Sequence, residues 1–201
     1  MAKVDSESKD IGLARELGRK AIHLGALVMP MGLWFAPMEY ARLALFAAFL
    51  ISACIDITRW TETRFSRWIR NMLHLVLRPH EDDRFSGGTH ILAAGALCAI
   101  LFAKPIAVAA LICIILGDTA AVFVGKSIGR IKIFWHKTLE GTLGFFVASL
   151  LGILWIPGLS LQAKVLGAAT AAFVEALPIR IDDNITVPLA AGAVMTWLVS
   201  S

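Results

Sequence analysis

Seven apolar stretches separated by short polar links leave this chain few folds to choose from; they cover residues 21–35, 41–57, 89–103, 105–124, 142–156, 161–177 and 185–199. A bilayer-crossing helix takes about 20 residues. Seven of them would consume most of 201 residues and leave no room for a separate water-soluble domain. Composition agrees: 58% of residues are hydrophobic and 17% charged, with a mean hydropathy of +0.73, against about half and about a quarter in soluble domains. The expectation is an all-α, polytopic membrane helix bundle with about seven transmembrane helices. Residues 1–20 then form a polar N-terminal segment and residues 21–201 a single transmembrane domain.

Basic residues set the expected orientation. Of 19 Lys and Arg, 16 fall in residues 1–20, 59–84 and 125–140 and at Arg180, whereas Arg42, Lys104 and Lys164 fall on the alternate links. Cytoplasmic links carry the excess of cations. The N-terminus is therefore expected in the cytoplasm and the C-terminus outside, in the cytoplasmic membrane. Because apolar spans interrupt the bases, they form no continuous stripe, which argues against a nucleic-acid partner. Residues 60–77 differ from the spans. Arg64, Arg67 and Arg70 recur at every third position while Phe65, Trp68, Ile69, Met72 and Leu73 take other faces, the pattern of a basic amphipathic helix lying in the interface. Cys54, Cys98 and Cys113 are odd in number and sit in apolar runs, so they read as packing residues. The first apolar run continues past Met29 without a small-residue cleavage site, which predicts a retained helix.

Chemistry concentrates between Gly117 and Gly144, GDTAAVFVGKSIGRIKIFWHKTLEGTLG. Asp118 is placed near the cytoplasmic end of the fourth span. Gly125 and Gly129 loosen the backbone after it, and a basic loop with Lys126, Arg130, Lys132 and Lys137 leads to Glu140 and Gly141, which open the next helix. An anionic ligand suits such a loop. Near the N-terminus, Arg19 and His23 lie one helical turn apart beside Lys20 and form a cationic ridge. The segment 120–127, AAVFVGKS, approaches a phosphate-binding loop but has Ala120 where the first glycine belongs and follows an apolar helix, not a strand.

Six acids, Asp56, Asp118, Glu140, Glu175, Asp182 and Asp183, fall at or near the cytoplasmic ends of their helices. A single one reads as an interfacial cap or ion-pair partner, because an acid at the bilayer centre costs roughly 2.5 to 3.5 kcal/mol. Together, and facing a set of Arg and Lys, they match the needs of Mg²⁺-assisted phosphoryl transfer. Mg²⁺ takes one or two carboxylates plus substrate phosphates, and Asp118 with Glu140 or Asp183 could supply them.

Six segments in series, ELGRKAIH (16–23), D-x-x-R (56–59), RPHE (78–81), GDTAAVFVGKSIGR (117–130), KTLEG (137–141) and EALPIRIDDNITVP (175–188), resemble the dolichol kinase, phytol kinase and CTP-dependent diacylglycerol kinase family. The resemblance spans nearly the whole chain in order. It implies that residues 21–201 are a catalytic membrane domain moving the terminal phosphate of CTP to a lipid alcohol with Mg²⁺. The acceptor would be a polyprenol, phytol or geranylgeraniol, or diacylglycerol. On this basis Asp118, Lys137 and Asp183 are the expected catalytic residues. Arg19, Lys20, His23, Gly125, Lys126, Gly129, Arg130, Thr138, Gly141 and Asn184 are expected around the nucleotide, and Asp118, Glu140 and Asp183 around the metal. Two alternatives stay open: a phosphatidate cytidylyltransferase-like reaction, whose long signature is absent, and a small transporter, although the acids gather on one side instead of at mid-membrane.

Overall fold

The computed structural model describes residues 18, 20–61, 63–73, 84–134 and 137–200. Arg19 and the RPHE segment 78–81 lie outside the described residues, as does most of the segment 1–20. The chain is all-α apart from one short hairpin. Its elements are α1 (Lys20–Phe35), α2 (Met38–Arg59), α3 (Arg64–Leu73), α4 (Gly87–Leu101), α5 (Lys104–Ile128), β1 (Lys132–Phe134), β2 (Lys137–Thr138), α6 (Leu139–Ile153), α7 (Leu161–Ala176) and α8 (Asp183–Ser200).

The centre of the bundle is α5. Every residue from Ile106 to Ile115 is buried, as a helix that is apolar on all sides must be, and α6, α8, α1, α4 and α7 pack around it. The outer helices turn apolar side chains outward, among them Leu43 and Ile51 on α2, Leu143 and Leu151 on α6, and Phe173 on α7. So wide an apolar exterior suits hydrocarbon and not water. Among the described residues, α2 and α5 are long and apolar enough to cross a membrane, and α1, α4 and α6 are shorter apolar helices. A turn at 26–27 tightens α1. Pro30 has no N–H to give the Ala26 carbonyl, which accepts from Met29 at 2.9 Å instead.

One end of the bundle is tied by three cations, each on the carbonyl of a neighbouring helix's last turn or cap. Arg42 donates to Ala99 at the end of α4 (2.7 Å), Lys104 to Ala36 after α1 (2.8 Å), and Lys164 to Leu154 after α6 (2.7 Å). Helix C-termini present unpaired carbonyls and partial negative charge, so all three bases cap helices. They are the three that the sequence assigns to the minority side.

A buried polar knot joins α2, α3 and α4. The Asp56 carboxylate pairs with Arg59 at 2.7 Å and accepts from the Ser86 amide (2.8 Å), the Ser86 hydroxyl (3.0 Å) and the Thr89 hydroxyl. Arg59, fully buried, donates to the Arg84 carbonyl (3.1 Å), and the Ser66 hydroxyl donates to the Arg59 carbonyl (2.9 Å). The D-x-x-R segment thereby fixes the start of α4. Of the interfacial helix expected over 60–77, Arg64–Leu73 form α3 and residues 74–77 lie outside the described residues. In α3 Ser66 and Ile69 face inward, while Phe65, Trp68 and Met72 are exposed beside Arg64 and Arg67.

The central segment departs from the loop expected over 125–140. Helix α5 runs on to Ile128, through Gly125, and carries Asp118 well inside it; β1 and β2 then pair antiparallel before α6 begins at Leu139. Close packing keeps the glycine helical. A Cβ on Gly125 would sit 3.1 Å from the Thr138 hydroxyl oxygen, and one on Gly141 would sit 3.0 Å from the Ala121 carbonyl oxygen and 3.4 Å from the Gly125 Cα. Small residues here let α5 and α6 cross nearly backbone to backbone.

Candidate functional site

Three ion pairs meet at the end of the bundle opposite the capping cations. The first joins α1 to α5. Lys20 Nζ bonds Asp118 Oδ2 and also the Asp118 carbonyl oxygen at 3.2 Å. His23, one turn further along α1, brings Nε2 to 3.4 Å from the same Oδ2, and this buried nitrogen makes no hydrogen bond. Both contacts fall on Oδ2. Lys20 and His23 thus share one helical face turned to Asp118; the sequence pairs His23 with Arg19, which lies outside the described residues.

The second pair links the hairpin to α7 and α8. Lys137 Nζ lies 2.8 Å from Glu175 Oε1 and 3.0 Å from Asp183 Oδ2, and it also bonds the Glu175 carbonyl oxygen. Burial by itself would lower the Lys137 pKa; the Glu175 carboxylate, and after it Asp183, outweigh burial and hold it above its ordinary value. The third pair is His90 on α4 with Asp182. Asp182 caps α8, its Oδ1 accepting from the Asn184 amide at 2.9 Å, and its Oδ2 lies 3.5 Å from His90 Nδ1. That ring nitrogen is also buried and without a hydrogen bond.

Electrostatic contact merges the three pairs into one cluster, since Asp183 feels Asp182 and Asp118, and His23 feels Asp182. Asp118, Lys137 and Asp183, the expected catalytic residues, are thus brought together. Gly125, Gly129, Gly141 and Thr138 lie beside them as the α5–α6 crossing. There Thr138 caps α6 through the Gly141 amide (3.2 Å), and a Cβ on Gly129 would fall 2.8 Å from the Thr138 hydroxyl oxygen. Lys126 and Arg130 are exposed, on the last turn of α5 and just past it.

Glu140 points elsewhere. Both its carboxylate oxygens accept from the Ile131 amide at 3.2 Å, clasping the hairpin to the start of α6. Its own backbone amide, with those of Arg130 and Ile131 and the Arg130 charge, holds its pKa below the ordinary value. Among the described residues no three of His, Cys, Asp and Glu are grouped to hold a metal ion, so Asp118, Glu140 and Asp183 do not form a ligand set by themselves. The chemistry of the donors still suits Mg²⁺. Asp118, Asp182, Asp183 and Glu175 offer hard carboxylate oxygens, and Mg²⁺ needs only one or two when phosphates supply the rest.

Sequence reasoning passed over His90; it counted Glu175 among the six acids, alone an interfacial cap or ion-pair partner, without naming Lys137 as its partner. A histidine in the first turn of an apolar helix carries no spacing signal. Its position after Gly87–Gly88–Thr89, opposite the Asp182–Asp183 pair, is a tertiary fact.

No family model matches the chain, and no solved structure does. It is 25% identical over 185 residues to an uncharacterized protein of Rickettsia prowazekii, covering 87% of this chain and 90% of that one. It is 28% identical over 181 residues to an uncharacterized protein of Methanocaldococcus jannaschii, covering 87% and 89%. To CTP-dependent diacylglycerol kinase 1 of Eremothecium gossypii it is 24% identical over 214 residues, covering 92% of this chain and 68% of that kinase. The chain is thus distantly similar, over nearly its whole length, to a CTP-dependent lipid kinase.

Proposed function

We propose that the chain is an integral membrane kinase that moves the terminal phosphate of CTP to the hydroxyl of a lipid alcohol: diacylglycerol, a polyprenol, or phytol or geranylgeraniol. The observation that carries this reading is the gathering of Asp118, Asp182, Asp183 and Glu175 with Lys20 and Lys137 at one end of an apolar bundle. The distant likeness to a CTP-dependent diacylglycerol kinase supports it. The same reading has seven spans in the cytoplasmic membrane, with the N-terminus and the acidic cluster on the cytoplasmic side and α3 lying in the headgroup layer.

Phosphoryl transfer is mostly positioning and charge stabilisation. Mg²⁺, held by Asp118 and Asp183 together with the nucleotide, would supply positive charge for the phosphate oxygens. Lys20 holds the Asp118 carboxylate turned into the cluster. Arg130 and Lys126, exposed on the cytoplasmic overhang of α5, meet the nucleotide phosphates, and Asp183, at the bilayer edge of α8, orients the lipid hydroxyl. Apolar walls from α6 and α7 hold the acyl or prenyl chain.

The test is an assay of purified protein with each nucleoside triphosphate and each lipid alcohol, following the nucleotide product. Release of CDP with a phosphorylated lipid is the expected result. Pyrophosphate release with a phosphorylated lipid acceptor would assign the chain to cytidylyl transfer, and turnover with none of the alcohols would overturn the proposal.

A further inference from the structure

A lysine ammonium has three N–H donors, and at Lys137 three acceptors meet them: Glu175 Oε1 at 2.8 Å, Asp183 Oδ2 at 3.0 Å and the Glu175 carbonyl oxygen. That carbonyl lies in the last turn of α7, where helix geometry leaves it without a backbone donor. An ammonium so occupied has no donor left for a phosphate oxygen. The acceptors sit on α7 and α8, while Lys137 comes from β2, so one side chain fastens the hairpin to two helix ends. Exposure is graded across the group. The Glu175 side chain is 9% exposed, Lys137 31% and Asp183 39%, so the charge partner of the deepest acid is also the support of the most accessible one.

Removing the cation from such a group leaves a buried carboxylate uncompensated, which costs far more than the intact pair contributes. We propose that Glu175 and Lys137 are positioning residues: Glu175 anchors the Lys137 ammonium, and the ammonium in turn holds the Asp183 carboxylate at the angle from which it meets the lipid hydroxyl. Lys137 then acts through Asp183 and not on the transferred phosphate. The inference rests on the kinase reading and adds to it a role for Glu175, together with a division of labour in which Lys20, Lys126 and Arg130 serve the nucleotide.

The experiment compares Lys137→Met, Glu175→Gln and the double variant, in detergent or nanodiscs, by thermal unfolding and by kcat and KM for CTP and lipid. Glu175→Gln alone should lower kcat at least tenfold with the KM for CTP within twofold of wild type. Lys137→Met should lower both kcat and the unfolding midpoint. In the double variant the lost cation no longer leaves a buried charge behind, so the midpoint should return toward wild type, while kcat should stay as low as in Lys137→Met with the KM for CTP within twofold of wild type, because nothing then holds Asp183. A Glu175→Gln enzyme with unchanged kcat would overturn the inference. So would a double variant as inactive as Lys137→Met with a raised KM for CTP, which would make Lys137 a phosphate ligand. If wild type phosphorylates no lipid alcohol, the kinase reading falls, and the midpoints still decide whether the residues are coupled: additive losses would refute the strut and compensating ones uphold it.

Discussion

The Asp118 carboxylate, 30% exposed, is shared between a lysine and a histidine on another helix, and an acid set within a bundle in this way marks a functional position. Asp118→Asn keeps the shape and loses the charge. It should lower CDP release at least about a hundredfold, or roughly 2.7 kcal/mol of transition-state stabilisation, with normal yields of folded protein in size-exclusion profiles. Asp56 makes the contrary case. Asp56→Ala would take the Asp56 carboxylate from the fully buried Arg59 guanidinium and free the start of α4, so stability should fall by about 3–5 kcal/mol, measured by denaturant or thermal unfolding. Its effect on kcat in the folded fraction should be small. The sequence pointed to Asp118, Lys20, His23, Lys137 and Asp183 because charges beside apolar runs demand partners and because these residues lie in the segments that carry the family resemblance. It did not point to His90, nor to the partner of Glu175, one of the six acids. Glu175 and His90 are each a lone polar residue on a helix, and only the folded chain shows that one faces Lys137 and the other Asp182.

Elements were legible to the extent that apolar length defines them. All seven apolar runs contain or overlap helices, whereas the hairpin escaped notice because strands of three and two residues give a period of two almost nothing to repeat. Glycine misled in the same region, reading as a helix breaker where it permits close crossing. At Gly117 a Cβ would lie 2.5 Å from the Phe145 ring and from the Ser149 hydroxyl oxygen. Gly117→Val should therefore push α6 away from α5 and cost about 1–3 kcal/mol, seen as a lowered unfolding midpoint. The clasp of Glu140 on the hairpin predicts a pH dependence. Because the folded pKa is depressed, the clasp is fully present above the ordinary carboxylate range and is lost as pH falls through the folded value. Hydrogen exchange at the Ile131 amide, corrected for its intrinsic pH dependence, should lose protection on that acid side, and Glu140→Gln should remove the pH dependence.

At the scale of the whole molecule, the alternation of basic and nearly base-free links was visible in the sequence, and the bundle keeps it as two chemically distinct ends. Single cysteines at Ser127 and Ser160, in a background without Cys54, Cys98 and Cys113, should react with an impermeant reagent from opposite sides of sealed vesicles. Reaction from the same side would refute the seven-span topology. Arg42, Lys104 and Lys164 sit on helix ends, held by peptide carbonyls at 2.7–2.8 Å, while Arg64, Arg67, Lys126 and Arg130 lie exposed at the other end. In the proposed orientation an energised membrane, negative inside, then acts on the protein as on a compass needle. Turning the molecule over would drag each cation of the basic end against the potential, at about 2.3 kcal/mol per charge for every 100 mV, and the three capping cations, moving the other way, would give back only part of it.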